Sequence, residues 1–305
     1  MRQLHYFAKT VELGNITRAA EALNVAQPAL GLQIRQLEQE LDVPLLVRHS
    51  RGITPTRPGQ ALYERACDIL RLVEDAKNEI TGYSGSEKES LILGITPGIT
   101  NVIGSTIYID APKALPDVHL SIVEEMSHVL IDALERDDID LAIAYEVPDR
   151  PALMRTPLLE EELVFVVGPD KGLRDGDQID LQDLLDYQLV LAGERDTVRR
   201  LLAAEAERLA LPVRVAFEAT SVSMMKSLVM KGEVASVMPR GSVAAELDAG
   251  RMVSLRIRNP TVTRTLYLAR STRHARFRAE AEIADFLYEL VDGFAEKLGP
   301  LVHKF

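Results

Sequence analysis

The residues best suited to chemistry in this 305-residue chain lie near its start. At about 100° per residue, Leu30, Ile34, Leu37 and Leu41 share one face of a helix that begins at Pro28, and this face packs inward. The opposite face presents Pro28, Gly31, Leu32, Arg35 and Gln39, with Gln27 and Ala29 at the tip. Such groups read base edges in a major groove: glutamine pairs with adenine, leucine meets a thymine methyl, and arginine grips guanine or a phosphate. Residues 45–59 read as a hairpin with a basic tip, where Arg48, Arg51 and Thr54 suit phosphate oxygens, which fix register rather than sequence. A short helix from Thr17 to Leu23, with Thr17 as its N-cap, precedes a turn at Asn24 and Val25; Thr17 and Arg18 complete the candidate DNA contacts. Alone, the third helix also suits a solvated amphipathic helix. The hairpin after it favours the groove.

A second set of candidates lies where apolar β-type runs end. Thr96, Gly98, Ile99, Thr100 and Asn101 follow the run 91–95; Ser127 and His128 follow 118–125; Tyr145 and Glu146 follow 140–145. Ala192 and Gly193 sit at a crossover, Thr220 and Ser221 precede a helix, and Met238 and Pro239 end a further run. In sheets of alternating strands and helices, ligands sit beyond the carboxyl ends of the strands. Several of these positions open helices, where free N–H groups and the helix dipole favour an anion. The set reads as a pocket for a small anionic metabolite, a carboxylate being the natural choice. Each residue taken singly also serves as an ordinary cap or turn.

Nothing in the sequence points to catalysis or to a cofactor. The six histidines are scattered without metal-ligand spacing, and no phosphate-cradling or nucleophile-elbow glycine motif occurs. The adjacent acids Glu124–Glu125, Asp137–Asp138 and Glu160–Glu162 diverge and read as solvated charges. Cys67 is the single cysteine; with no adjacent Lys, His or second Cys it reads as structural rather than redox-active.

These groups need elements to hold them. With 47% hydrophobic and 27% charged residues, a folded chain is expected. No apolar run reaches the roughly 18 residues of a membrane span, and the charged start lacks the core of a signal peptide, so a cytoplasmic protein is expected. Net charge is −11, yet residues 1–60 hold seven basic against five acidic residues, so the acidity belongs to the back of the chain. Leu62, Ala66, Ile69, Val73, Ala76 and Ile80 space a heptad seam along one long helix, which predicts pairing between two chains. GYSGSEKES at 82–90 suits a hinge. Beyond it, strand-like runs alternate with helical ones, which predicts parallel sheets with helices on both faces. The expected divisions are 1–58, 59–88 and 89–305, the last in two lobes (89–161 with 266–305, and 162–265).

The stretches LHYFAKTVELGNITRAAEALNVAQPALGLQIRQLEQELDVPLLVR and GITPTRPG make residues 1–60 resemble the LysR-type transcriptional regulators. The resemblance implies an all-α-type winged helix-turn-helix head, a linker helix that pairs two chains, and a two-lobed doubly wound α/β domain like type 2 periplasmic binding proteins. In those terms Gln27, Pro28 and the outward face of the third helix meet bases, and Arg48, Arg51 and Thr54 the backbone. Gly31 stands where the family usually has Ser, and Leu32 where it often has a polar or basic residue. The implied partners are a double-stranded DNA operator, a small-molecule effector and further copies of the chain as dimer or tetramer, with no membrane. The front and the TPGIT stretch look nearest to regulators of nitrogen assimilation and of aromatic catabolism. This leaves open a regulator that needs no small effector and is controlled by its abundance. The rival from another class is a two-lobed solute-binding or enzymatic domain with a helical cap, which predicts no DNA affinity.

Overall fold

Two small side chains, Ala19 and Ala20, let the first three helices close on one another. These are α1 (Arg2–Leu13), α2 (Ile16–Ala22) and α3 (Gln27–Leu41). The computed structural model describes residues 1–23, 25–49, 52–82, 88–273 and 277–305; Arg51, an expected DNA contact, lies outside them. Tyr6, Ala19, Ala20, Leu30 and Ile34 form one core cluster, and Phe7, Leu37 and Leu45 a second. The cap of α2 is Asn15 rather than Thr17: Asn15 Oδ1 accepts the N–H groups of Thr17 and Arg18 at 2.9 and 3.1 Å. Leu41, expected inside, is 43% exposed because α3 ends there and Asp42 turns the chain at φ 51°.

The hairpin forms as expected, β1 (Leu46–His49) antiparallel to β2 (Gly52–Pro55), with His49 opposite Gly52. Three contacts fix it. Glu38 Oε1 accepts the N–H groups of Leu45 and Leu46 at 2.8 and 3.1 Å. Ile53 N–H donates to the carbonyl of Gly14, the left-handed residue that ends α1. Thr56 Oγ1 donates to the Pro44 carbonyl and accepts the N–H of Gly59, which starts the next helix, α4 (Arg57–Gly82). Gly59 is required: a Cβ there would lie 1.9 Å from the Leu45 carbonyl oxygen. The heptad seam on α4 needs a correction. Ala66 is fully buried and Leu62 packs against the Phe7 cluster, so the first turns of the seam serve the head's own core. The apolar face opens from Ile69, which is exposed, as is Leu72.

The chain divides into two units, Met1–Glu87 and Lys88–Phe305. The second begins with β3 (Glu89–Ile95), α5 (Pro97–Ala114), β4 (Val118–Glu124), α6 (Ser127–Glu135), β5 (Leu141–Tyr145) and β6 (Leu153–Val167). Next come β7 (Gln178–Asp180), α7 (Leu181–Leu184), β8 (Leu189–Leu191), α8 (Thr197–Arg208), β9 (Val215–Glu218) and α9 (Val222–Met230). It closes with β10 (Ser236–Pro239), α10 (Arg240–Asp248), β11 (Val253–Arg258), β12 (Thr263–Ser271), α11 (Glu280–Leu298) and β13 (Val302–Lys304). The main sheet runs β4-β3-β5-β12-β6-β11-β7, with β10 and β13 also paired to β6; β8 and β9 pair apart from it.

Two lobes result. In the first, α5 and α11 cover one sheet face through Ile103, Phe286 and Phe294, and α6 covers the other through Leu130 and Leu134. In the second, α8 packs through Val198 and Leu202 on one face, while α9 and α10 pack through Val229 and Val243 on the other. Leu301 reaches the second lobe's core although α11 before it serves the first. The sheet is mixed, not parallel throughout. β3 is parallel to β4 and β5, but β6 and β12 are antiparallel and run through both lobes. β6 runs from Leu153 to Val167 although Arg155, Pro157 and three glutamates interrupt its apolar pattern.

Two glycines in the head should respond oppositely to alanine. Gly59→Ala should destabilise the head by the upper end of the about 1–3 kcal/mol typical of overpacking, since backbone is what the new methyl meets. At Gly31 a Cβ would meet Ile16 Cδ1 at an ordinary 3.6 Å, so Gly31→Ala should stabilise by up to about 1 kcal/mol. Urea denaturation of the full chain, followed through the head's transition, measures both. Equal effects would show that the Gly59 contact does not limit this packing.

Candidate functional site

The head exposes the groups that its sequence assigns to DNA. Gln27, Pro28, Ala29, Leu32 and Arg35 are exposed along α3, as are Thr17 and Arg18 at the start of α2. The N-cap of α3 is Ala26, which offers no side-chain acceptor; Pro28 has no N–H and the Ala29 N–H donates to the Ala26 carbonyl, so in the first turn the Gln27 N–H is the one left for a phosphate. Arg18 and Arg35 make no ion pair with the described residues. On the hairpin, Thr54 is exposed and lies 3.2 Å from His49 Nε2; of Arg48 the backbone alone is described. Gly31 departs from expectation: it is buried and faces Ile16, because its position rotates it toward α2 rather than outward.

In the second unit a cleft opens between the lobes, with about 600 Å³ of empty space, part of it open to solvent. Thr96, Pro97, Gly98, Met126 and Ser127 line it from the first lobe, and Leu191, Ala192, Asp196, Val198, Val222, Met225 and Met238 from the second. Of the expected residues, Thr96, Gly98, Ser127, Ala192, Met238 and Pro239 meet there. The others do not line it. Ile99 belongs to the first lobe's core; Thr100 Oγ1 donates to the Thr96 carbonyl; Asn101 is exposed on α5. Gly193 accepts the Asp196 N–H, Thr220 is exposed, and Ser221 caps α9. Tyr145 is fully buried, and its N–H donates to Ser127 Oγ at 3.0 Å.

Arg264, which sequence reasoning missed, reaches the cleft from the start of β12. Its Nε and Nη2 donate to Glu161 Oε2 at 3.0 and 2.8 Å, and its guanidinium lies over the Tyr145 ring, 3.3 Å from the centroid. Burial opposes the charge on Arg264, but Glu161 and, further down the order, Asp196 hold its pKa above the usual value. Burial also drives the Tyr145 phenol well above its ordinary range, partly offset by Arg264. The reading of Glu161, Glu162 and Asp137 as solvated is therefore corrected, while Glu124 and Glu125 are exposed as expected. Glu161 and Glu162 are buried because β6 turns them toward Arg264 and Arg256, and the Asp137 side chain is 2% exposed beside Arg273.

Two helix starts meet at the cleft. A Cβ on Gly241 would lie 2.8 Å from the Gly98 carbonyl, so the first turns of α5 and α10 touch through glycine. Neither carries a side-chain cap. Thr96, which precedes α5, is 6% exposed, and its Oγ1 has no hydrogen-bond partner among the described residues. Asp175 steadies α10 by accepting from Arg240 and Ser254; these bonds overcome its burial and hold its carboxyl below the usual range. Arg195 and Asp132 bridge the lobes at 2.6 Å on the exposed side.

Residues 1–60 match the family described as bacterial regulatory helix-turn-helix protein, lysR family, and residues 84–292 match the LysR substrate binding domain. The chain is 30% identical over 294 residues to the nitrogen assimilation regulatory protein nac of Klebsiella aerogenes, covering 95% of each. Among solved structures, a full-length OxyR variant from Pseudomonas aeruginosa aligns at TM-score 0.68 and 22% identity, covering 95% of this chain and 93% of that one. Full-length CbnR, solved with its target DNA, aligns at TM-score 0.67 and 21% identity over 96% and 99%.

Breaking the buried pair on one side should be far more damaging than removing it whole. Arg264→Met should destabilise the second unit by about 3–5 kcal/mol, leaving Glu161 buried and unpaired. Adding Glu161→Met should restore most of that loss. Thermal and urea denaturation read both variants; a double variant no more stable than the single would contradict this description of the pair.

Proposed function

This chain belongs to the LysR family of bacterial DNA-binding transcriptional regulators with an effector-binding domain, and we propose that its effector is a small carboxylate-bearing metabolite held in the interlobe cleft. The observation that carries the proposal is the unpartnered hydroxyl of Thr96, buried beside two uncapped helix starts. The open cleft favours an effector over control by abundance alone. A ligand that binds one arrangement of the lobes better than another shifts the population toward it, and this differential affinity is what the effector supplies.

On the DNA side, the exposed tip of α3 enters the major groove, with Gln27, Leu32 and Arg35 toward base edges and Thr54 toward phosphate. The open apolar face of α4 from Ile69 onward pairs two chains, so that two heads meet two half-sites.

Arg35→Ala should weaken binding to a fragment upstream of the protein's own gene by about 1–3 kcal/mol, or roughly 5- to 150-fold, with the oligomer unchanged. Each phosphate neutralised should contribute about −0.9 to the log–log salt slope. Gel shift at several salt concentrations decides, and unaltered affinity in the variant removes the groove assignment. Ile69→Lys should place a charge in the pairing face and split the dimer. Retention of wild-type mass in light scattering would refute pairing through α4.

A further inference from the structure

The charges that face the cleft restrict the ligand more tightly than "a carboxylate", and the argument rests on the cleft reading above. Two ionic side chains line it, Arg264 and Asp196, both buried. Arg264 is committed to Glu161 through two hydrogen bonds and to the face of Tyr145. It has little left to neutralise a ligand anion.

Asp196 is the opposite case. Its Oδ1 caps α8 by accepting the N–H groups of Val198 and Arg199 at 2.9 and 3.2 Å. Its Oδ2 takes no hydrogen bond from the described residues, although Asp196 is 7% exposed. On its α8 and α9 side the second lobe thus presents a negative charge, with both helix starts there already capped, by Asp196 and Ser221. A ligand carboxylate is repelled there and an ammonium is attracted. The side of the cleft where α5 of the first lobe meets α10 of the second presents the reverse: the free Thr96 hydroxyl and two uncapped helix starts, packed on each other through Gly98 and Gly241. A carboxylate is favoured on that side. The walls between are apolar, formed by Leu191, Val222, Met225 and Met238.

We propose that the cleft binds a free α-amino acid with an apolar side chain, its carboxylate at Thr96 and the starts of α5 and α10, its ammonium at Asp196, and its side chain among the methionines and valine of the second lobe. A dicarboxylate fits poorly, because its second charge meets Asp196.

The test is calorimetry and thermal melting of the full chain with leucine and methionine, and with two truncated forms of leucine: isocaproate, which lacks the amine, and isoamylamine, which lacks the carboxylate. Leucine or methionine should bind at least tenfold tighter than either truncated form. Asp196→Asn keeps an N-cap oxygen and removes the charge. It should erase the advantage of leucine over isocaproate. Thr96→Val should weaken leucine and isocaproate alike, about tenfold. Isocaproate binding as tightly as leucine, with Asp196→Asn indifferent, overturns the amino-acid assignment while the cleft reading stands. Failure of both amino acids to bind wild type overturns it too. Binding that neither variant alters lies outside the cleft and overturns both readings.

Discussion

Where β6 and β12 pass together from one lobe to the other, an arginine 7% exposed meets a glutamate 1% exposed. Neither charge is tolerable alone in that environment, since removing a buried ion from water costs several kcal/mol even after relaxation. Arg264 and Glu161 sit directly opposite each other in the strand register, so the pair forms only when both strands are correctly aligned. That alignment carries the rest. It sets β12 beside β5, brings Tyr145 under the guanidinium, and places the ends of β3 and β10 on facing sides of one cleft. A pair of this kind need not add net stability. Its consequence is register, and the cleft exists because that register is kept.

Within a structure whose buried polar groups are mostly satisfied, the few unsatisfied ones mark where partners belong. Among the described residues of the effector unit, Thr96 Oγ1, His128 Nδ1, the Tyr145 hydroxyl, Glu161 Oε1 and Arg199 Nη1 are such groups, and of these Thr96 lines the cleft. In the head, the corresponding groups are the exposed tip of α3, from Gln27 to Arg35, and its uncapped first turn. The head invests its internal hydrogen bonds elsewhere: Glu38, Gly14 and Thr56 all tie the hairpin down. The hairpin is thereby held rigid beside a helix that presents unpaired groups. A DNA-reading surface needs this combination, because phosphate contacts fix position and free side chains then read bases.

The head was largely legible in the sequence. The 3.6-residue spacing of Leu30, Ile34 and Leu37 located α3, and the run from Leu45 through the TPT stretch located the hairpin. The errors there were local. Thr17 and Asn15 are both capable caps, and only backbone geometry separates them; Gly31 has no side chain to show its direction. On α4, heptad spacing cannot say whether a partner or the head's own core covers a given turn, and Leu62 packs on the head. In the effector unit, strand ends found Thr96, Gly98, Ser127, Ala192, Met238 and Pro239. Arg264 stayed hidden because its role depends on pairing across the sheet, with a glutamate 103 positions away; Asp196 stayed hidden because a local cap of α8 gives no sign of the cleft beside it. The three consecutive glutamates looked like solvated charge because a strand crossing between lobes buries what a surface strand would expose.

Amide hydrogen exchange across the full chain, with and without a DNA fragment from upstream of its own gene, tests the central claim most directly. The account predicts that DNA slows exchange in the first turns of α3 and along β1 and β2. Tight DNA binding that leaves exchange in these segments unchanged, with protection appearing elsewhere, would contradict it.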